Sequence, residues 1–551
     1  MRKKRILFCS ESTFLNTGYA TYTREILNYL HGTGKYEIAE LGAYGYSGDP
    51  RAKEIPWKFY GVMPHPSSPK EDHDRYNSTP TNQFGEFAFD SVCLDFKPDV
   101  VCDIRDFWML EHQERSPFRS FFKWCIMPTV DAAPQSRQWI ATYQSADACL
   151  TYSDWAGEVL KSESGNKINY LGSSPPSAHS AYKIYENKND IKSRYGIPQD
   201  VYVLGTVMRN QRRKLYPDLF KTFRMFLDSV NDSNKYILYC HTSYPDMGWD
   251  IPELLNKYSL SSHVYFTYIC PVTNSAFSSL FDGAITNSPF TGQINASISN
   301  VKFGASYKQL SEIINMFDIY IQYANSEGFG LPQVEAAACG VPVMATDYSA
   351  METVIRKLEG IPVKPKALYK ELETGCNRAV PDNELAVKLL KEFFSKTDEE
   401  RSNIGMNTRR LFDQHFQWDQ SGAAWEKYFD SIDLVPEEKT WLSPPRYRKP
   451  SPMLEDHEHK SPLELSRWLI SQVLCDENKL DSFMESRLTR DLTYKTTTAT
   501  TGGMYFNESS AAFEGNNVRS HFDFNKAYNH FLNLCNRHNF WENQRAKAFN
   551  L

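Results

Sequence analysis

The chain has no long apolar run, no pronounced charge of either sign, no paired cysteine motif and no internal repeat. No hydrophobic segment of its 551 residues approaches the roughly 20 needed to cross a bilayer, so no membrane span is expected. The opening Met1-Arg2-Lys3-Lys4-Arg5 runs straight into Ile6-Leu7-Phe8-Cys9, an apolar stretch too short for the core of a secretory signal. The 61 Lys and Arg against 67 Asp and Glu leave a formal charge of −6, which argues against a general polyanion binder. The 11 cysteines are scattered without a C-x-x-C pair, and their odd number suits reduced thiols better than a disulfide framework. A cytoplasmic, globular protein of two or three domains is the expectation.

What the chain does have is strand and helix in alternation, which predicts doubly wound parallel sheets. In the first 172 residues, strands are expected at 5–9, 98–102 and 121–128, with an amphipathic helix at 19–30 and a surface loop at 64–84, rich in Ser, Pro, Asn and charge. A second α/β domain, 173–435, starts with a strand at 201–208. It continues with strands at 236–240, 263–269 and 317–323, helices at 218–228 and 307–316, and a closing helix at 418–433. Residues 270–304 read as an insertion containing a β-hairpin. From 436 to 551 lies an extension with equal numbers of acidic and basic residues, opening on the stiff basic stretch 443–452. Helical runs at 462–474 and 524–535 follow, so the extension is expected to be mainly helical.

The densest motif is Ser326-Glu327-Gly328-Phe329-Gly330-Leu331-Pro332-Gln333-Val334-Glu335, with Ala336-Ala337-Ala338-Cys339-Gly340-Val341-Pro342-Val343 behind it. Two carboxylates stand eight positions apart around a glycine turn between apolar runs. Glu327 falls at a strand's carboxyl end and Glu335 on the next helix, with Pro332 suited to its first turn and Gly340 to its end. Ligands bind at that edge of open α/β sheets. A second motif, Val207-Met208-Arg209-Asn210-Gln211-Arg212-Arg213-Lys214, ends the first strand of the same domain and places cations where a diphosphate could be held.

Together the E-x7-E element and the R-x4-K element resemble retaining nucleotide-sugar glycosyltransferases of the GT-B fold, especially family 4, over residues 1–435. The resemblance implies two facing Rossmann-like domains, a nucleoside-diphosphate-sugar donor, transfer with retention, and no cofactor or essential metal. It assigns Arg209 and Lys214 to the donor diphosphate, Glu335 to the ribose and Glu327 to sugar hydroxyls near the anomeric carbon. Backbone amides of Phe329, Gly330 and Leu331, after Gly328, would point at sugar and phosphate from a helix start. Gly18, in Asn16-Thr17-Gly18-Tyr19, would bring amides to the cleft from the first domain. Family members commonly carry a histidine after a first-domain strand; here the segment reads Met127-Pro128-Thr129-Val130-Asp131, so Asp131 is the candidate polar group and no general base is assigned.

Asp103, Arg105 and Asp106, after the strand at 98–102, are further cleft-edge candidates. Cys270 is one thiol where similar transferases have a cysteine-rich knuckle, and one thiol makes no zinc site. Asp72-His73-Asp74 spells a metal-binding D-x-D but follows no hydrophobic strand, and His457-Glu458-His459 is expected to be solvated. In style the whole chain resembles transferases encoded by tailed bacteriophages, which leaves hydroxymethylated pyrimidine in DNA, a surface glycan and protein open as acceptors. A non-catalytic nucleotide-sugar binder, or an interaction protein on the same fold, is the alternative.

Overall fold

The computed structural model describes residues 2–300, 302–448, 468, 471, 505–507, 512–514 and 524–551. Its first sheet has seven strands, all parallel: β1 (Lys4–Glu11), β2 (Tyr36–Tyr46), β3 (Lys58–Met63), β4 (Val100–Asp103), β5 (Lys123–Ile126), β6 (Ala148–Thr151) and β7 (Tyr170–Ser173). They run in the order β3-β2-β1-β4-β5-β6-β7, so the winding reverses between β1 and β4. Buried on both faces, β1 is a run of Ile6, Leu7, Phe8 and Cys9 with no accessible surface, as a covered parallel strand requires. Strands β2, β3, β6 and β7 lack strong sequence signals: β2 carries Glu37, Glu40, Gly42 and Gly45 among its apolar residues.

The second sheet holds β8 (Tyr202–Val207), β9 (Tyr236–His241), β10 (Val264–Cys270), β11 (Ser275–Leu280), β12 (Ile285–Asn287), β13 (Ile294–Ile298), β14 (Ile319–Gln322), β15 (Val343–Thr346) and β16 (Ile361–Val363). The order β12-β13-β10-β9-β8-β14-β15-β16 reverses between β8 and β14. The inserted segment is larger than a hairpin. β11 and β13 both pair antiparallel with β10, and β12 extends the edge beyond β13. A separate antiparallel hairpin, β17 (Pro365–Lys370) with β18 (Asn377–Pro381), follows β16.

The loop expected at 64–84 is a correction: Lys70–Asn77 is a helix, followed by a π-turn at Asn82–Glu86. Only Tyr76 of that helix is buried, so apolar periodicity could not reveal it; Glu71 and Asp72 in the first turn and the Lys70–Asp74 pair at 2.5 Å stabilise it instead. Asp72 pairs with Arg75 at 3.8 Å, so the D-x-D carboxylates are tied to cations on an exposed helix.

The helix Trp418–Ser431 crosses back onto the first domain. Trp425 Nε1 donates to the Tyr22 hydroxyl (3.0 Å), Tyr29 donates to Glu426 (2.8 Å) and Tyr36 to Asp430 (2.6 Å). Gly422 is required there, because a Cβ would lie 2.3 Å from the Tyr29 ring. The terminal helix is longer than expected, Phe524–Phe549, and also docks on the first domain: Arg537 pairs with Asp90 (2.6 Å) and Glu86 (3.1 Å). The basic stretch that opens the extension is strapped to this helix, with Arg446 and Arg448 amides donating to Glu542 and Asn539 at 2.8 Å. The helix expected at 462–474 and His457-Glu458-His459 lie outside the described residues.

Candidate active site

In each sheet the winding reverses at one point, β1/β4 in the first and β8/β14 in the second, and the loop after β14 meets the loop after β5 between the domains. The meeting is tight. A Cβ on Gly328 would stand 2.4 Å from the Thr129 methyl of the opposite domain. The Thr129 hydroxyl hydrogen-bonds Tyr19 at 2.8 Å, and Tyr19 donates to Asp106 at 2.9 Å.

On the second-domain bank, an isolated antiparallel bridge joins Lys214 to Ala324 and so lays the β8 loop beside the β14 loop. This places the Lys214 ammonium in direct contact with the Glu327 carboxylate, both buried. Arg213 holds the other carboxylate oxygen at 2.9 Å, and the Gln322 amide donates to the first at 2.9 Å. The Glu327 amide donates to Ser349 at 2.9 Å, which fixes the backbone as well. Burial, and then Arg213, push the Lys214 ammonium below the ordinary lysine range. Burial likewise lowers Arg213, with Asp131 opposing it across the cleft.

Arg209 is more open. Its guanidinium forks onto Asp246 at 2.8 and 3.1 Å and is half exposed, with no contact to Glu335. Gly330, at φ +90°, caps the helix Leu331–Ala338, with Pro332 in its first turn. Phe329 is buried against Phe416, so its ring packs into the protein and does not line the cleft. Glu335 lies buried on that helix. Burial raises its carboxyl to about 7, partly offset by a hydrogen bond from Tyr182.

On the first-domain bank, Asp131 follows β5 and is bound by Arg378 at 2.8 Å and by the Ser326 hydroxyl at 3.3 Å. Arg378 belongs to the β17–β18 hairpin, reaches Glu371 at 2.7 Å, and is held in place because the Asn377 amide donates to the Ala133 carbonyl at 2.8 Å. Sequence reading missed Arg378. No motif surrounds it, and only the hairpin's fold brings it beside Ser326. Gly18 opens the helix Gly18–Thr33 behind the Thr17 cap, with open space where a Cβ would be, so nothing steric demands glycine there.

Two of the cleft-edge candidates are corrected. Asp103 and Arg105 form a fully buried ion pair, with Gln113 donating to Asp103 at 2.7 Å and Arg105 donating to the Phe84 carbonyl at 2.7 Å. Each spends its polar atoms inside the domain, as buried charges must. Asp106 does face the cleft, and burial, then the nearby Asp131 charge, raises its carboxyl. Among the described residues no group of three or more His, Cys, Asp or Glu is arranged to hold a metal.

Residues 295–393, which contain both glutamates and Arg378, match the family model for glycosyl transferases group 1. Comparison with curated protein sequences gives no match. Among solved structures, sucrose-phosphate synthase from Thermosynechococcus elongatus is similar with a TM-score of 0.56 at 15% identity, covering 78% of this chain and 98% of its own. A glycosyltransferase from Rickettsia africae reaches 0.53 at 13% identity, over 78% and 98%. HepE from Anabaena, in complex with UDP and glucose, reaches 0.53 at 12% identity, over 78% and 100%. The architecture is therefore GT-B, and within it residues 295–393 are similar to glycosyl transferases group 1.

Proposed function

We propose that the chain is a retaining, family 4-like transferase that moves a sugar from a nucleoside-diphosphate donor to an acceptor hydroxyl without an essential metal. The observation that carries this reading is the buried Lys214–Glu327 contact, flanked by Arg213, at the point where the second sheet's winding reverses. In the reaction the bond from the anomeric carbon to the phosphate oxygen breaks, and a bond to the acceptor oxygen forms on the same face. The acceptor's proton passes to the departing phosphate. Negative charge grows on the leaving diphosphate, and fixed cations in a dry site stabilise it. Lys214 and Arg209 take that role, each exchanging its present carboxylate partner for phosphate oxygens. Glu327, freed from Lys214, accepts from sugar hydroxyls; Glu335 accepts from the ribose diol. The amides of Phe329, Gly330 and Leu331 sit at a helix start, where anions are favoured. Asp131, bridged by Arg378, stands across from them.

UDP, present in the HepE complex, is the natural first probe. The test is donor hydrolysis and transfer with a panel of UDP-sugars, together with UDP-induced thermal stabilisation. Stabilisation without turnover toward any acceptor or water would select the non-catalytic binder instead. Absence of both would remove the nucleotide-sugar reading.

A further inference from the structure

The first domain's cleft edge carries an aromatic surface that the donor chemistry above does not use. Tyr44, near the carboxyl end of β2, is 38% exposed, and Trp108, just after β4, is 41% exposed. Both rings pack edge-on against Phe84, at 6.3 and 4.8 Å between centroids, so the three form one surface. Tyr44 holds a left-handed backbone, φ +63°, which a bulky residue adopts only at a cost. The mount beneath is the buried Asp103–Arg105 pair, since Arg105 ties down the Phe84 carbonyl. Among the described residues neither the Tyr44 hydroxyl nor the Trp108 indole N–H has a partner.

Position and charge define what such a surface suits. Asp106 immediately precedes the turn that carries Trp108 and connects through Tyr19 to Thr129, the residue that faces Gly328. Glu11, at the end of β1, lies close enough to Tyr44 to raise its phenol after burial has done so. The cations at this edge are turned to protein acceptors: Arg24 to the Thr13 carbonyl (2.9 Å), Arg51 to Asp49 (2.7 Å), Arg105 to Asp103. Proteins that grip single-stranded nucleic acid combine stacking rings with a positively charged groove. Here the rings are rimmed by carboxylates, which repel phosphates and accept hydrogen bonds from hydroxyls.

We infer that this surface is the acceptor subsite and that it takes a neutral carbohydrate chain, stacked on Trp108 and Tyr44 with its hydroxyls directed to Glu11 and Asp106. The inference rests on the transferase reading and names the acceptor class for it. The test titrates the full chain with cellotetraose, maltotetraose and chitotetraose, and separately with a twelve-nucleotide oligothymidylate, while UDP-induced thermal stabilisation is followed in the same preparations. At least one tetrasaccharide is expected to bind, with affinity nearly constant between about 50 and 200 mM salt. Trp108→Ala and Tyr44→Gly should each weaken that binding about tenfold or more, equivalent to about 1.4 kcal/mol, with melting temperature and UDP stabilisation retained. Tyr44→Gly is chosen because glycine accepts the positive φ, so the fold is not at risk.

Preferential, steeply salt-sensitive binding of the oligothymidylate would make this edge a nucleic-acid surface and overturn the inference. So would sugar binding indifferent to both substitutions, or no sugar binding while UDP stabilisation persists. Loss of UDP stabilisation in the unsubstituted chain would instead remove the transferase reading and this inference with it.

Discussion

The two cleft-facing edges are built on opposite plans. In the second domain, cations reach the cleft with carboxylates already beside them: Arg209 with Asp246, Arg213 and Lys214 with Glu327. In the first, the charged pair Asp103–Arg105 is sunk into the core, and what reaches the cleft is Tyr19, Tyr44, Trp108 and the carboxyls of Glu11, Asp106 and Asp131. On the proposed reading, each second-domain cation exchanges its carboxylate partner for a phosphate. Among the described residues the first domain's edge offers hydroxyl acceptors and flat rings and no comparable cluster of cations. On that proposed reading, one bank takes the diphosphate and the other the uncharged acceptor.

The largest expected effect tests the cationic bank. Lys214→Ala leaves the buried Glu327 carboxylate to Arg213 and Gln322 alone and removes a donor from the leaving group. We expect transfer to fall about a thousandfold, in line with loss of one preorganised charge donor, and UDP stabilisation to collapse. A kcat/KM within tenfold of the unsubstituted chain would break the comparison at its centre.

Among the described residues Glu335 is a buried carboxylate that makes no ion pair, and its titration sharpens the contrast. Its folded-state value, about 7, lies above the ordinary 4.5, so the folded chain holds a proton that the unfolded chain gives up between those values. The stability tied to that proton is full below about pH 4.5, declines as pH rises toward 7, and is gone above it. Urea denaturation of Glu335→Gln should lack this decline, which amounts to about 3 kcal/mol. If the charged form receives the ribose, UDP should also bind more tightly as pH rises through 7 in the unsubstituted chain and less so in Glu335→Gln.

Gly328→Ala probes the contact between the banks. The added methyl meets Thr129 at 2.4 Å, and turning Thr129 away would break its bond to Tyr19. A drop in transfer of about a hundredfold, about 2.7 kcal/mol, is expected, with recovery on adding Thr129→Ser, which removes the offending methyl and keeps the hydroxyl. Failure of the second change to rescue would mean the closed contact is not the catalytic one. The smallest effect is Asp131→Asn, which keeps an acceptor for Arg378 and loses only the charge assistance, about 1 kcal/mol. A fall in kcat of about fivefold with donor KM unchanged is expected; unchanged turnover would remove Asp131 from the reaction.

How much of this was legible in the chain differs between the banks for a physical reason. Glu327, Gly330 and Lys214 occupy positions where backbone turn, helix start and ligand chemistry all restrict the residue type, so local spacing carries the information. The helix Lys70–Asn77 was missed because it buries one residue, and hydrophobic periodicity reports only what is buried. Asp103 and Arg105 were misjudged because their place in the chain, just after a strand, is the same whether the side chains face the cleft or the core. Arg378 gave no signal at all: its partner is Asp131, 247 positions earlier in the chain.

By itself the sequence determined the alternation of strands and helices, the glutamate turn and the basic turn, because each depends on neighbours within a few residues. Only the tertiary structure decided that Lys214 lies against Glu327, that Arg378 bridges to Asp131, and that Tyr44 and Trp108 share one surface over Phe84. Those contacts join residues dozens to hundreds of positions apart. The first and third exist because parallel strands bring their carboxyl ends to one edge, the second because an antiparallel hairpin reaches the other domain, and none is a property of any short stretch of chain.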